Sequence, residues 1–256
     1  MVAIAAAGFA AGGINAVVGS GTLVTFPVLL AVGLPPVTAT VSNSLGLVAG
    51  NVAGAIGYRR ELRGQRGLIL RLLPASVLGA LTGAFLLLHL PASSFEAIVP
   101  ALICLAVVLV AVQPVLQRTL ARRRPPGDDG AEQRIGPGRM VALFTGAYVT
   151  GSYGGYFAAS QGVLQIGSFG LLLREPLQRL NALKNVLTTA VNGVAAATYV
   201  VVATDRVNWL AAVLIAGGSI IGGYVGARFG RRLPAPVLRA AIVALGLVAI
   251  GVLFSR

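Results

Sequence analysis

Two stretches set the terms for this chain: Leu72 to Leu88 and Trp209 to Ala227 contain no charged residue. Uncharged, largely apolar runs of that length, at about 1.5 Å per helical residue, cross or nearly cross a hydrocarbon core of roughly 30 Å. The composition agrees, with 56% hydrophobic and 11% charged residues and a mean hydropathy of +0.86 over 256 residues, where an average soluble domain is about a quarter charged. The chain reads as an all-α integral membrane protein embedded in a lipid bilayer. No Lys or Arg precedes Arg59, so the start lacks the positive n-region of a secretory signal. The one cysteine, Cys104, lies in an apolar run and excludes an intrachain disulfide or a Cys-based metal site.

The net charge of +13 raises nucleic acid as a partner, but the placement of the charges argues against it. All but one of the basic residues are arginine, and most of them gather in three clusters at the ends of apolar spans: Arg59 to Arg71, Arg118 to Arg139, and Arg228 to Arg239. Such clusters mark cytoplasmic loops. Nucleic-acid binding calls for a basic stripe interleaved with aromatics in a soluble segment, and none is present, so no nucleic-acid partner is expected.

The second cluster lies in the one long polar segment, which has Pro, Gly, both signs of charge and no apolar periodicity. Residues 117–139 read as a cytoplasmic linker between two transmembrane halves, 1–116 and 140–256. The halves align at an almost constant offset. Gly13 pairs with Gly154, Gly21 with Gly162, Pro35 with Pro176, Ser44 with Asn185, Asn51 with Asn192 and Tyr58 with Tyr199; further on, Gly79 pairs with Gly222 and Gly83 with Gly226. Charge orients the copies oppositely. The loop at Arg59 to Arg66 is basic while its counterpart near Thr204 to Val207 is not, and "HLPASS" lacks the arginines that flank its counterpart "RRLPAP". By the positive-inside rule the repeats are inverted, the plan of many secondary transporters.

With the linker and the loop holding Arg174 and Arg179 both cytoplasmic, Met140 to Leu171 must enter and leave on one side. The segment is too long for one straight span and too short for two, which need roughly 40 residues. Two half-length helices meeting near the midplane fit, with Gly151, Gly154 and Gly155 of "GSYGGYFAASQG" as the expected breaker, and the first half repeats the design in "GGINAVVGSGT". The expected architecture is therefore two inverted-topology repeats, each a broken-helix hairpin plus three transmembrane helices.

A span with a polar face follows each hairpin. Asn181, Asn185, Thr188 and Asn192 share one helical stripe with Lys184 on its edge, matched in the first half by Thr40, Ser44 and Asn51, with Asn43 at the position of Lys184. Intramembrane amides serve either as interhelical hydrogen-bonding groups or as the lining of a site, and both readings stand for these asparagines. Lys184, the only lysine, has two readings as well: a side chain snorkelling to the cytoplasmic interface, or an anion contact beside a positive helix N-terminus. Five of the seven acids fall in cytoplasmic loops, and Glu96 and Asp205 near the opposite surface. Hard cations want clustered carboxylates, so the expected partner is a small anionic substrate, with no metal and no cofactor.

Catalytic chemistry finds little support. Ser20 and the sole histidine, His89, belong at different depths, which argues against a serine hydrolase; a phosphate-binding G-x-x-x-x-G-K-[ST] motif is absent. No catalytic residue is assigned.

The segments "GGINAVVGSGTLVTFPVLLAVGLPP", "GSYGGYFAASQG", "NALKNVLTTAVNG" and "GGYVGARFGRRLP" resemble the TauE/SafE family of bacterial membrane permeases, in order and over essentially the whole chain outside the linker. One departure is Gly19-Ser20-Gly21, where the family carries three glycines. The resemblance implies a multi-pass permease of the bacterial cytoplasmic membrane that moves a small sulfur-containing anion, such as sulfite or an organosulfonate; a passive anion channel and a non-transporting structural subunit are the alternatives. The expected substrate-contacting residues are Gly19, Ser20, Gly21, Asn43 and Asn51 in the first half, and Tyr153, Gly154, Gly155, Tyr156, Gln161, Asn181, Lys184, Asn185 and Asn192 in the second. Topology is checked by thiol labelling on a Cys104→Ser background: Asp128→Cys is expected to react only from the cytoplasm, and a cysteine beside Met1 only from outside.

Overall fold

The computed structural model describes residues 1–122, 135–229 and 244. Within them the chain is helical throughout: α1 (Val2–Val17), α2 (Thr22–Ala31), α3 (Pro36–Gly57), α4 (Arg66–His89), α5 (Ala92–Arg122), α6 (Pro137–Tyr156), α7 (Gln161–Leu172), α8 (Leu177–Val202), a 3-10 turn at Thr204–Arg206, and α9 (Trp209–Phe229). Four of these helices, α4, α5, α8 and α9, are long and apolar enough to cross a membrane. Helix α3 has 22 residues but spends much of its length on Thr, Ser, Asn and Gly. The last of the six expected spans lies outside the described residues. Many large apolar side chains face outward, among them Val201, Val213, Val141 and Leu78, as a lipid-facing surface requires.

Both ends of the segment 117–139, expected as a linker, are helical. Helix α5 continues through Arg122 and α6 already begins at Pro137, because Gln117 to Arg122 contain no breaker, while Pro137 suits a first helical position where its missing N–H costs nothing.

Helix α1 turns back into α2 and α6 into α7, each pair a hairpin, but the second turn does not fall where the glycines lie. Helix α6 runs unbroken through Gly151, Gly154 and Gly155 to Tyr156, so it has 20 residues, about 30 Å, against 12 residues, about 18 Å, for α7. The turn falls at Phe157 to Ser160, where Ala158 and Ser160 take left-handed φ values of 64° and 60°. In the first hairpin the turn is at Val18 to Gly21, with Gly19 at φ 85°, a conformation glycine adopts without steric cost.

The three misplaced glycines have another use. A Cβ on Gly151 would lie 2.6 Å from the Ser76 carbonyl oxygen, and Gly155 packs in the same way on the backbone of Ala80. These contacts and their α4 counterparts, Gly79 and Gly83, bring α4 and α6 together with no side chain between them. Gly8 and Gly12 on α1 and Gly218, Gly222 and Gly226 on α9 do the same for a second parallel pair. Lipid offers no hydrophobic drive for helix association, so close van der Waals contact through small residues has to supply it. Gly151→Val is expected to lower stability by about 1–3 kcal/mol through overpacking. Gly67→Ala, in α4 with open space around it, is expected to be neutral or stabilising by up to about 1 kcal/mol. Thermal unfolding of detergent-purified protein checks both.

Candidate functional site

The tips of the two hairpins lie against each other. The Gly162 N–H donates to the Gly19 carbonyl at 3.1 Å, and a Cβ on either glycine would collide with the backbone of the other. Helix α2 and helix α7 both start here, so two positive helix N-termini meet two negative C-termini, those of α1 and α6, in one buried place.

Breaking a helix frees backbone groups that the membrane interior cannot hydrate. At the first tip, the Asn15 side chain is central: its Oδ1 accepts from the Gly21 N–H at 3.3 Å and its Nδ2 donates to Asn51 Oδ1 at 2.5 Å. Lys184 Nζ donates to the last carbonyls of α1, those of Asn15 at 2.8 Å and Ala16 at 3.3 Å, and Asn185 Nδ2 donates to the Ala16 carbonyl at 3.2 Å. At the second tip, the Tyr153 hydroxyl donates to the Ala159 carbonyl at 2.6 Å and Ser160 Oγ to the Ala106 carbonyl of α5 at 3.1 Å. The two non-glycine residues at positive φ cost on the order of 1–3 kcal/mol each, and these bonds hold the loop that carries them.

Lys184 therefore does not snorkel. Its side chain is 0% exposed, and its cationic head sits on the negative end of α1, the place in a helix where a cation is most stabilised. The charge was legible in the sequence, but its partner lies 169 positions away. Asn43, at the equivalent position of the first half, instead accepts from Thr25 Oγ1 and donates from Nδ2 to Thr22 Oγ1 at 3.1 Å, pinning α2 to α3.

Other polar groups at the tips keep hydrogen-bonding capacity in hand. Ser20 is 0% exposed and Gln161 1% exposed; Ser20 Oγ and both amide atoms of Gln161 have no partner among the described residues. Gln165, one turn further along α7, accepts from Thr188 Oγ1 at 2.8 Å through Oε1 and leaves Nε2 unpaired. Asn51 Nδ2, Asn181 Oδ1 and Asn192 Oδ1 are unpaired as well.

Of the residues expected from the sequence, Gly19, Ser20, Gly21, Gly154, Gln161, Lys184 and Asn185 gather around the crossing, Gly154 lying directly under the Gln161 side chain. Asn43 and Asn51 hold the first hairpin from α3. Tyr156 is turned elsewhere, its ring edge-on to Phe95 at 5.4 Å, and Gly155 accepts from the Tyr199 hydroxyl while packing on α4. Among the described residues no group of three His, Cys, Asp or Glu could hold a metal ion. The sequence reading passed over Asn15, Thr22, Thr25 and Gln165; a lone amide within an otherwise apolar run was the available signal for Asn15 and Gln165.

Residues 4–253 match the family model described as sulfite exporter TauE/SafE. The chain belongs to the TauE/SafE family. It is 26% identical over 239 residues to a probable membrane transporter protein, ORF9, of Sinorhizobium sp, covering 93% of this chain and 85% of that one. It is also 26% identical over 224 residues to a probable membrane transporter protein of Haemophilus influenzae (86% and 81% of the two chains) and, over 224 residues, to the probable membrane transporter protein YfcA of Escherichia coli K12 (87% and 76%). No solved structure matches the chain. The protein is a multi-pass membrane permease rather than an enzyme, as suits a bacterial cytoplasmic membrane.

If Lys184 ties α8 to the end of α1, Lys184→Met is expected to lower stability by about 1.5–3 kcal/mol, the cost of a hydrogen bond to a charged group. Lys184→Arg is expected to destabilise too, since Gly162 closes on the Lys184 stem (a Cβ there would be 2.8 Å from Cδ) and leaves no room for a longer, planar head. Melting temperatures in detergent check this; a stable Lys184→Arg would show the pocket to be open.

Proposed function

We propose that this permease is a secondary transporter for a small sulfur-containing anion, sulfite or an organosulfonate, and that the anion binds at the crossing of the hairpin tips. The observation that carries the reading is the arrangement there: the N-termini of α2 and α7 converge on Ser20 and Gln161, buried polar side chains with no partner among the described residues. A positive helix end suits an anion, and broken helices aiming their ends at a substrate near the midplane are the habit of inverted-repeat carriers. Lys184 adds a positive charge beside the crossing, and among the described residues no carboxylate stands with the polar side chains around it. The sulfur-anion class rests on the family resemblance.

The same proposal takes the chain as two inverted repeats, 1–116 and 140–256, joined by the cytoplasmic linker 117–139. The packing supports it: α1 lies along α9 as α6 lies along α4, both pairs parallel and glycine-lined, and Gly19 and Ser160, equivalent under the register that pairs Gly21 with Gly162, share a positive φ. The two hairpins would then enter from opposite faces, the first from outside and the second from the cytoplasm.

Equilibrium binding of sulfite, thiosulfate and small sulfonates to purified protein tests the site. Ser20→Ala and Gln161→Leu are each expected to weaken binding about tenfold or more, the loss of one hydrogen bond to a charged group at roughly 1.5–3 kcal/mol. Unchanged affinity in both variants would remove the tips from the site. Saturable counterflow in proteoliposomes is expected of a carrier; leak without counterflow would mark a channel, and no movement of any anion a structural subunit.

A further inference from the structure

Where α5, α6, α7 and α8 meet at the arginine-rich face, they enclose a cleft of about 510 Å³ whose lining includes Gln117, Arg139, Arg174 and Glu175. The carboxylate of Glu175 is held by Arg179, whose Nε donates to Oε2 at 2.5 Å, which offsets the one negative charge that the described residues place in the lining. From this cleft α5 and α7 run side by side toward the tips. Leu120 touches Gly170, Leu116 lies 3.2 Å from where a Cβ on Gly167 would stand, and Ser160 Oγ donates to the Ala106 carbonyl.

Between the Leu116 and Ala106 contacts α5 carries Gln113. It is 1% exposed, and neither Nε2 nor Oε1 has a partner among the described residues. At the corresponding level of α7 stands Gln165, 0% exposed and with Nε2 unpaired. Gln117 and Gln113 are four residues apart on α5, as are Gln165 and Gln161 on α7, so each pair lies along one face of its helix. A buried amide without a partner costs about 1–3 kcal/mol, and an apolar side chain of similar shape would pack at Gln113 without that cost. Polar groups kept at such a cost inside a membrane have a polar guest to serve.

We propose that Gln117, Gln113, Gln165 and Gln161 are the rungs of a cytoplasmic access path, along which a small oxyanion or sulfonate passes between the cleft of Arg139 and Arg174 and the hairpin tips. The arginines concentrate anions at the mouth; the amides replace water one hydrogen bond at a time without the full charge that would trap the ion. The path rests on the reading of the tips as the substrate site, yet it can be tested without knowing the substrate.

The experiment is cysteine accessibility on a Cys104→Ser background, with a membrane-impermeant sulfonate-bearing methanethiosulfonate as probe. Gln113→Cys is expected to react from the cytoplasmic face of inside-out vesicles at least ten times faster than Ile103→Cys, which is equally buried on α5 beyond the Ala106 contact, and not to react from outside. Gln113→Leu is expected to melt at or above the wild-type temperature, because an unpaired amide is removed. Equal reactivity of the two cysteines, no reaction from the cytoplasm, or a lower melting temperature for Gln113→Leu would each overturn the path. Cytoplasmic labelling at Gln113 together with unchanged anion affinity in Ser20→Ala and Gln161→Leu would uphold the path and remove the tips as its destination.

Discussion

Everything in this structure depends on how a broken helix survives inside a membrane. Each break leaves carbonyls and N–H groups that water cannot reach, and an unpaired buried group costs about 1–3 kcal/mol. The protein meets much of this demand with groups from beyond the break. The second tip donates from Gly162 to Gly19 of the first, α8 sends Lys184 and Asn185 to the end of α1, and Asn15 caps Gly21 while holding Asn51 of α3. The tips are thus held by the helices around them, and moving one tip means exchanging those bonds together.

Two kinds of contact share the work. Glycine faces on α1, α9, α4 and α6 let backbones touch, which gives the bundle cohesion that lipid does not provide. The polar bonds at the crossing add specificity more than strength, since interhelical hydrogen bonds in membranes average only about 0.6 kcal/mol. The division suits a permease: rigid pairs outside, and inside a cluster of weak, exchangeable bonds with spare donors on Ser20, Gln161 and Gln165.

The electrostatics follow the same economy. A buried ammonium without a counter-ion is costly, and among the described residues Lys184 finds only helix carbonyls to soften that cost. In the proposed transport cycle an arriving anion would complete the neutralisation. Membership of a family whose model is named for sulfite export, at 26% identity to relatives described only as probable membrane transporters, is compatible with that chemistry.

Much of this was legible in the order of residues alone. Uncharged runs long enough for membrane helices, arginines gathered at their ends, and glycine motifs in a set order pointed to the bundle, the class and the family, because hydropathy and charge act locally and survive any arrangement of neighbours. What a glycine is for is not local. Gly19 turns the chain, whereas Gly151, Gly154 and Gly155 admit a neighbour, and only the approach of Ser76, Gln161 and Ala80 decides between those uses. The same holds for Lys184, whose charge was plain but whose partner, the end of α1, is remote in sequence, and for Gln113, an unremarked amide until α7 placed Gln165 at its level. Tertiary structure decided these because a hydrogen bond or a backbone contact is made at about 3 Å, and no periodicity along the chain records which distant residue comes that close.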